Sequence, residues 1–544
     1  MKRVLLAAAA VMLVGGLHAE ERVDLSMTNK IRQEAFNHSQ VMGLLTHLTE
    51  DIGPRLTNSP SMAQANAWTG SKFKEWGLAD VHDEAMKEPF GRGWEFHSAS
   101  VEMLSPRAFP LHALPKAWTP GTNGPVEGDA IAAKIEKKED LEKFRGKLKG
   151  KVVFISDARA YKPGEKPDWN RETDDTLHAM QSVDVPADQK PGDRDEARNR
   201  RLQRLAFAPL LNKFLVDEGA VASVSISSWD NGVLVVSGGG SRKAGESVGV
   251  PSFSMSAEHY NAVMRALDRK EAVRLRLNSD ARFTSDTDQP AYNTIAEIPG
   301  TGPHRNEVVM IGAHMDSWHA GTGAADNGAG VAVMMEAMRI LKAVGAKPDR
   351  TIRVALWTGE EQGLLGSADY VAQHFARFAE PTDPQEKLLP VFLRQPRGKL
   401  EPGRDYGKVA AYFNVDNGGG KIRGIYAQDN MAVAPIFEEW LKPFNDVGAT
   451  IVTQRNTGST DHISFDAVGI PGFQFVQDEI EYETRTHHSN MDVYDRLQTA
   501  DMMKNAVIVA SFVYEAANRD QMLPRKPLPK AEPPKPATAP KATN

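Results

Sequence analysis

Five short segments of this chain hold the residue types that could do chemistry together. Gly312-Ala313-His314-Met315-Asp316 sets an imidazole two residues before a carboxylate. A metal-bound imidazole needs an acceptor for its other N–H, and Asp316 is spaced to supply it. Gly321–Gly328 carries Asp326 immediately ahead of a long helical pattern. Gly359-Glu360-Glu361-Gln362-Gly363 offers two adjacent carboxylates, which point in different directions, so that one can bind metal while its neighbour faces a substrate water. Asn414-Val415-Asp416-Asn417 closes an apolar run with another carboxylate, and His487-His488-Ser489-Asn490-Met491-Asp492 adds a tandem of histidines.

Each segment alone has an ordinary explanation: a surface histidine, a helix N-cap aspartate, a solvated acidic turn. A phosphate loop is excluded at 321–328, because no Gly-Lys-Ser/Thr follows. Jointly the segments offer two histidines and three carboxylates. That is too many for one catalytic zinc, which takes three protein ligands and a water. It fits two metal ions about 3.5–4 Å apart sharing one carboxylate. The chain has no cysteine, so thiolate ligands, cysteine nucleophiles and disulfides are all ruled out. Imidazole and carboxylate suit zinc, with manganese and cobalt as alternatives.

The elements that must position these residues are legible in the periodicity. Short apolar runs at Val308–Ile311, Ile352–Trp357, Val409–Val415 and Phe473–Val476 predict strands, and each chemical segment lies at or just past a strand end or opens a helix. Gly328–Val344, Leu364–Phe375, Met431–Phe444 and Ala500–Ala516 predict helices between them. The alternation argues an α/β fold with a mixed central sheet flanked by helices. Residues 28–80 read as helical, broken at Gly53-Pro54, with a second helix over Ser61–Trp76. Runs at Val152–Ile155, Val221–Ile226, Val233–Val236 and Val250–Phe253 predict a separate β-rich module over 119–285, devoid of a clustered ligand set. Inside it, the polar stretch Tyr161–Arg204 predicts a long surface loop with a helix at its end.

At the N-terminus, Lys2-Arg3, an apolar run from Val4 to Leu17 and Ala19 form the pattern of a secretory signal peptide over 1–19. The run is shorter than the roughly 20 residues that span a bilayer. Export to the periplasm or medium and no stable membrane insertion are therefore expected. The Pro/Lys/Ala-rich segment 521–544 is expected to be disordered. Composition is that of a globular protein, 41% hydrophobic and 25% charged, and a net charge of −6 gives no reason to expect nucleic acid.

The segments also carry a resemblance. GAHMDSW, GAADNGAGVA, LWTGEEQGLLGS, FNVDNGG, STDHISFDAVGIPGF and THHSNMD, in this order, resemble the zinc exopeptidases that include bacterial leucyl-type aminopeptidases, plasma glutamate carboxypeptidase (carboxypeptidase Q) and glutamate carboxypeptidase. The likeness is close over 293–516, extends to DIGPRLTNSP near the N-terminus, and makes the inserted region similar to a protease-associated domain. It implies a domain order of 20–118 and 286–520 forming the peptidase, with 119–285 inserted. It also implies roles: His314 and Asp416 on one zinc, Glu361 and His488 on the other, Asp326 bridging, Glu360 as general base and Asp316 oriented behind His314. Where several aminopeptidases of the family have a tyrosine that helps hold the oxyanion, this chain has His487, with Tyr482 as another source of a hydroxyl.

The expected activity is hydrolysis of a terminal bond of short peptides by an aminopeptidase or dipeptidase. A carboxypeptidase Q-like carboxypeptidase, a glutaminyl cyclase-like transferase with one zinc and a receptor-like binding protein are the alternatives. A substrate amine would find Glu360, Asp416 and the run Asp478-Glu479-Glu481; a substrate carboxylate would find Lys421, Arg423, Arg455 or Arg485.

Overall fold

The structure is a computed structural model that describes residues 21–162, 164, 167–182, 193–394 and 398–527. The expected signal peptide lies outside the described residues, as does most of the expected disordered tail. Among the described residues no helix is long and apolar enough to cross a membrane.

Two eight-stranded sheets organise the chain. The first runs Ala79–Ala85, Tyr292–Ile298, Thr351–Trp357, Val308–His314, Val409–Asn414, Gly472–Gln477, Ile422–Tyr426, Ile451–Thr453 across its width. Its four middle members, from Thr351–Trp357 to Gly472–Gln477, are mutually parallel, and antiparallel pairs flank them. These middle strands are near-continuous apolar runs because both faces are covered. Val309, Ile311 and Ala313 pack under the helices Ala329–Ala343 and Thr499–Asn518. Val308 and Met310 face Tyr370, Val371 and Phe465, from the helices Leu365–His374 and His462–Asp466.

The sequence puts one face of the 328–344 helix toward the core. In the structure residues 329–341 are all buried. The sheet takes one side, and the helices Leu25–Asn37, Val41–Thr46 and Thr499–Asn518 take the other. Its two buried charges are neutralised locally, Arg339 donating to Glu336 at 2.8 Å and pairing with Glu34 at 2.6 Å.

The second sheet runs Phe109–Leu111, Trp94–Ser105, Arg274–Phe283, Val126–Ala132, Lys151–Phe154, Ala222–Ile226, Ser252–Met255, Ala113–Pro115. It therefore takes in residues from Trp94 onward, ahead of the boundary at 119 read from the sequence. The long strands Trp94–Ser105 and Arg274–Phe283 carry polar residues on a solvated face, so no apolar run announces them. Two further differences matter later. Val233–Val236 does not join this sheet, and Val235 instead forms an isolated bridge with Ser489. The polar stretch after 161 is not simply a loop: it holds the helices Asp174–Gln181 and Asp193–Asp217. The first is capped by Thr173, whose hydroxyl accepts from Thr176 N at 3.2 Å, and it packs Leu177 on Ile451 and Val476 of the first sheet.

Candidate active site

The four middle strands of the first sheet end at one edge, where open α/β sheets build sites. Val308–His314 ends in His314 itself, longer than the sequence predicts, because Gly312–His314 stays in parallel register with Ala355–Trp357. Thr351–Trp357 leads to Glu360 and Glu361, Val409–Asn414 to Asp416, and Gly472–Gln477 to the segment with His487 and His488. Asp326 enters from the turn before the helix Ala329–Ala343. Two glycines shape the turns. Gly323 has φ +63°, and a Cβ there would meet the Ser317 side chain at 2.4 Å. Gly359 has φ +67°, which swings the chain away from its strand.

Asp326 is the centre of the cluster. Its Oδ1 lies 3.3 Å from His314 Nε2, and its Oδ2 lies 3.3 Å from His488 Nε2. His314 Nε2 is also 3.1 Å from Asp416 Oδ1, and His488 Nε2 is 2.8 Å from Glu361 Oε2. One carboxylate thus faces two imidazoles with its two oxygens, and each imidazole meets one further carboxylate. His487 Nε2 stands 3.9 Å from Asp326 Oδ2, so both histidines of the tandem face the cluster and His488 is the nearer.

The electrostatics call for cations. Burial drives Glu360 and Glu361 well above the usual carboxylate range, with Asp416 beside the first and Asp326 beside the second adding to the effect. Burial would raise Asp326 too, but the hydrogen bond to His314 and the charges of His488 and His487 hold it low. Burial would lower His314; Asp416 and Glu360 outweigh it and raise it well above normal. Asp326 Oδ2 and Glu361 Oε1 are buried without a hydrogen-bond donor. Each such oxygen costs roughly 1–3 kcal/mol unless something satisfies it, and a divalent ion on this nitrogen–oxygen set does so. The residues present fit zinc.

The surroundings fix these groups. His314 Nδ1 lies 2.9 Å from the main-chain oxygen of Asp316 and 3.7 Å from its carboxylate, so the backbone oxygen is the nearer acceptor for this ring. The Asp316 carboxylate instead accepts the N–H groups of Glu360 at 3.1 Å and Glu361 at 3.4 Å, and the Thr57 hydroxyl at 2.9 Å. Asp492 accepts from Ala325 N at 2.5 Å and Asp326 N at 3.1 Å, and burial beside Asp326 raises it to about 7. Arg55, fully buried, donates to five carbonyl oxygens, those of Leu48, Gly53, Met315, Thr322 and Gly323. Asp461 is buried with neither oxygen hydrogen-bonded, and burial raises it to about 7. Sequence reasoning assigned no role to Arg55, Thr57, Asp461 or Asp492, although DIGPRLTNSP, STDHISFDAVGIPGF and THHSNMD contain them. Aromatic rings wall the cluster: Tyr482 stacks on His487 at 4.7 Å, and Trp318 meets His488 edge-on at 6.2 Å.

Most of the groups expected to read a substrate end are engaged elsewhere. Asp478 is fully buried between Arg171, at 2.7 Å, and Arg423, at 2.8 Å. Glu481 holds Arg496 at 3.0 Å and Arg485 at 3.4 Å. Arg455 donates to the Ala179 carbonyl at 2.5 Å. These charges serve the fold.

Comparison with known proteins places the chain beside peptidases. Residues 293–513 match the model of Peptidase family M28. Over 508 residues the chain is 26% identical to carboxypeptidase Q of Bos taurus, covering 93% of this chain and 90% of that one. Over 280 residues it is 27% identical to aminopeptidase YwaD of Bacillus subtilis, 51% of this chain and 54% of that one. Among solved structures, a peptidase M28 precursor from Shewanella amazonensis matches with a TM-score of 0.63 at 23% identity, over 93% of this chain and 98% of that one. The zinc aminopeptidase BSAP of Bacillus subtilis matches with a TM-score of 0.54 at 18% identity, over 91% and 98%. These two likenesses speak to the mixed α/β fold. The segment that matches Peptidase family M28, residues 293–513, contains every residue of the cluster around Asp326.

Proposed function

We propose that this chain is an exported di-zinc exopeptidase that hydrolyses the terminal bond of short peptides, dipeptides above all, and reads their amino end. The observation that carries the reading is Asp326, whose two oxygens face two different imidazoles. His314 and Asp416 would hold one zinc and Glu361 and His488 the other, with Asp326 placed to serve both. When bound, zinc ions supply a Lewis acid for the scissile carbonyl and lower the pKa of water.

The chain's own groups do the rest. Glu360 accepts the proton of the attacking water and returns it to the leaving amine. Its carboxylate is buried beside Asp416, which raises its proton affinity in the metal-free fold. His487, held by its stack on Tyr482, donates to the developing oxyanion. Asp478 and Glu481 are paired to arginines, and the carboxylates at the cluster itself that can meet the substrate amine are Glu360 and Asp416.

A carboxypeptidase is the second reading, favoured by the alignment with carboxypeptidase Q along 93% of the chain. Zinc content measured alongside cleavage of free, N-acetylated and C-amidated dipeptides tests both. Two ions and a larger loss on acetylation than on amidation are expected. The reverse order moves the assignment to a carboxypeptidase, and rapid cleavage of doubly blocked peptides removes the exopeptidase reading.

A further inference from the structure

The inserted module reaches the site although it contributes none of the clustered ligands. The apolar run Val233–Val236 leaves the module's sheet and lies along the segment that follows His488. Val236 N–H donates to the His488 carbonyl at 3.3 Å, Asn490 N–H donates to the Leu234 carbonyl at 3.0 Å, and Leu234 N–H donates to Asn490 Oδ1 at 2.8 Å. The run is itself tied to the module's sheet: Val235 N–H donates to Ser227 Oγ at 3.0 Å, and Ser254 Oγ donates to the Val235 carbonyl at 2.7 Å.

A second tie grips the other end of the same segment. Asn170 and Ile480 exchange backbone hydrogen bonds of 2.8 and 2.7 Å. Arg171 bridges Asp478 and Asp501, each at 2.7 Å, and the Glu172 N–H adds a bond of 3.1 Å to Asp478. Thr484 donates its hydroxyl to the Asp168 carbonyl at 2.6 Å, and Arg485 pairs with the Asp168 carboxylate.

At the first of these ties His488 sits at φ +58°, a left-handed conformation that is strained for a non-glycine residue and persists only where its surroundings impose it. The segment 478–490 has no strand or helix longer than one short turn to impose it from within. The module supplies that constraint from both sides.

We propose that the inserted module is a clamp on the metal site, with Asn490 and Arg171 as positioning residues that aim His488 at Asp326 and Glu361. The clamp acts on the half of the site formed by Glu361 and His488 and leaves the half formed by His314 and Asp416 to the sheet. This rests on the two-ion reading given above. Outer partners of a ligating histidine typically govern metal affinity by about 10–100-fold.

The test is zinc titration of the metal-free full chain against a chromogenic chelator. The unaltered protein should take up two ions. Asn490→Ala and Arg171→Met should each leave one ion at its original affinity and weaken the other by about 10–100-fold. Asn490→Asp, which keeps an acceptor for Leu234 N–H, should recover most of that loss. In a His488→Ala background Asn490→Ala should add nothing, since both act on the same ion. Unfolding midpoints of the metal-free proteins, matched among the variants, show that the fold is intact; should one variant not fold, the other tie asks the same question. Two ions bound at the original affinity in both variants would overturn the clamp, as would equal weakening of both ions. An unaltered protein that binds no second ion overturns the two-ion reading itself, and the clamp with it.

Discussion

The two sheets treat charge in opposite ways. In the inserted module the strand Arg274–Phe283 alternates buried and exposed positions, and its arginines pair on the wet face: Arg274 and Arg276 with Glu127, Arg282 with Glu95. Such pairs are screened and contribute little. In the first sheet three of the four middle strands are buried end to end, and carboxylates at their ends are packed at one edge beside only two or three imidazoles. Buried carboxylates short of cations are the mark of a functional site. The same residue types are upholstery in one sheet and machinery in the other, and burial without a matching cation separates the two.

Five measurements would break or sharpen this contrast. Exhaustive chelation should abolish peptidase activity and zinc should restore it; full turnover in the metal-free protein would end the argument. Glu360→Gln should lower kcat by about 10²–10⁴-fold with both ions retained, and near-normal turnover would place the base elsewhere. Asp316→Asn removes one of the oxygens that hold the Glu360 and Glu361 N–H groups, and should cost about 10–100-fold in zinc affinity or activity, as read by chelator competition.

The fourth is pH dependence. In the metal-free fold Glu360 and Glu361 are raised well above normal, and Asp461 and Asp492 are raised to about 7 from 3.8. Carboxyls with raised folded values lend stability when protonated and lose it as pH climbs through about 7. Zinc binding instead strengthens as its ligands deprotonate. The gap in unfolding midpoint between loaded and metal-free protein should therefore widen from about pH 5 to about pH 8. A constant gap would show that these carboxylates do not titrate in the fold. Smallest of all, Glu127→Gln in the inserted sheet should leave turnover, zinc content and unfolding midpoint unchanged; a loss of zinc would tie that wet face to the site.

Much of this was legible because chemistry and periodicity coincide at strand ends. The runs ending at Trp357 and near Val415 announce their strands, and Glu361 and Asp416 follow at once. The supporting groups were not legible. Arg55 and Thr57 act on loops about 260 residues away in sequence, and nothing local marks either as more than a turn residue. Val233–Val236 has the composition of a strand, yet its partner is a loop of the other domain, which periodicity cannot name. The helix Asp174–Gln181 has one buried apolar residue, Leu177, too little to stand out in a charged stretch. The strand Trp94–Ser105 was hidden by its polar face.

Arg55 bears on what a fragment of this protein could do. Residues 293–513 contain the whole ligand cluster and would pass, by inventory, for a complete active site. They lack the guanidinium that gathers the Met315, Thr322 and Gly323 carbonyls, and nothing within them replaces its planar fork of donors. Expressed alone, such a segment would own every part of the site and miss the keystone that gives the loop before Asp326 its shape. The first sheet and its loops draw on chain from both sides of the second sheet's strands, and Arg55 is the side chain that ties the earlier piece to the later one.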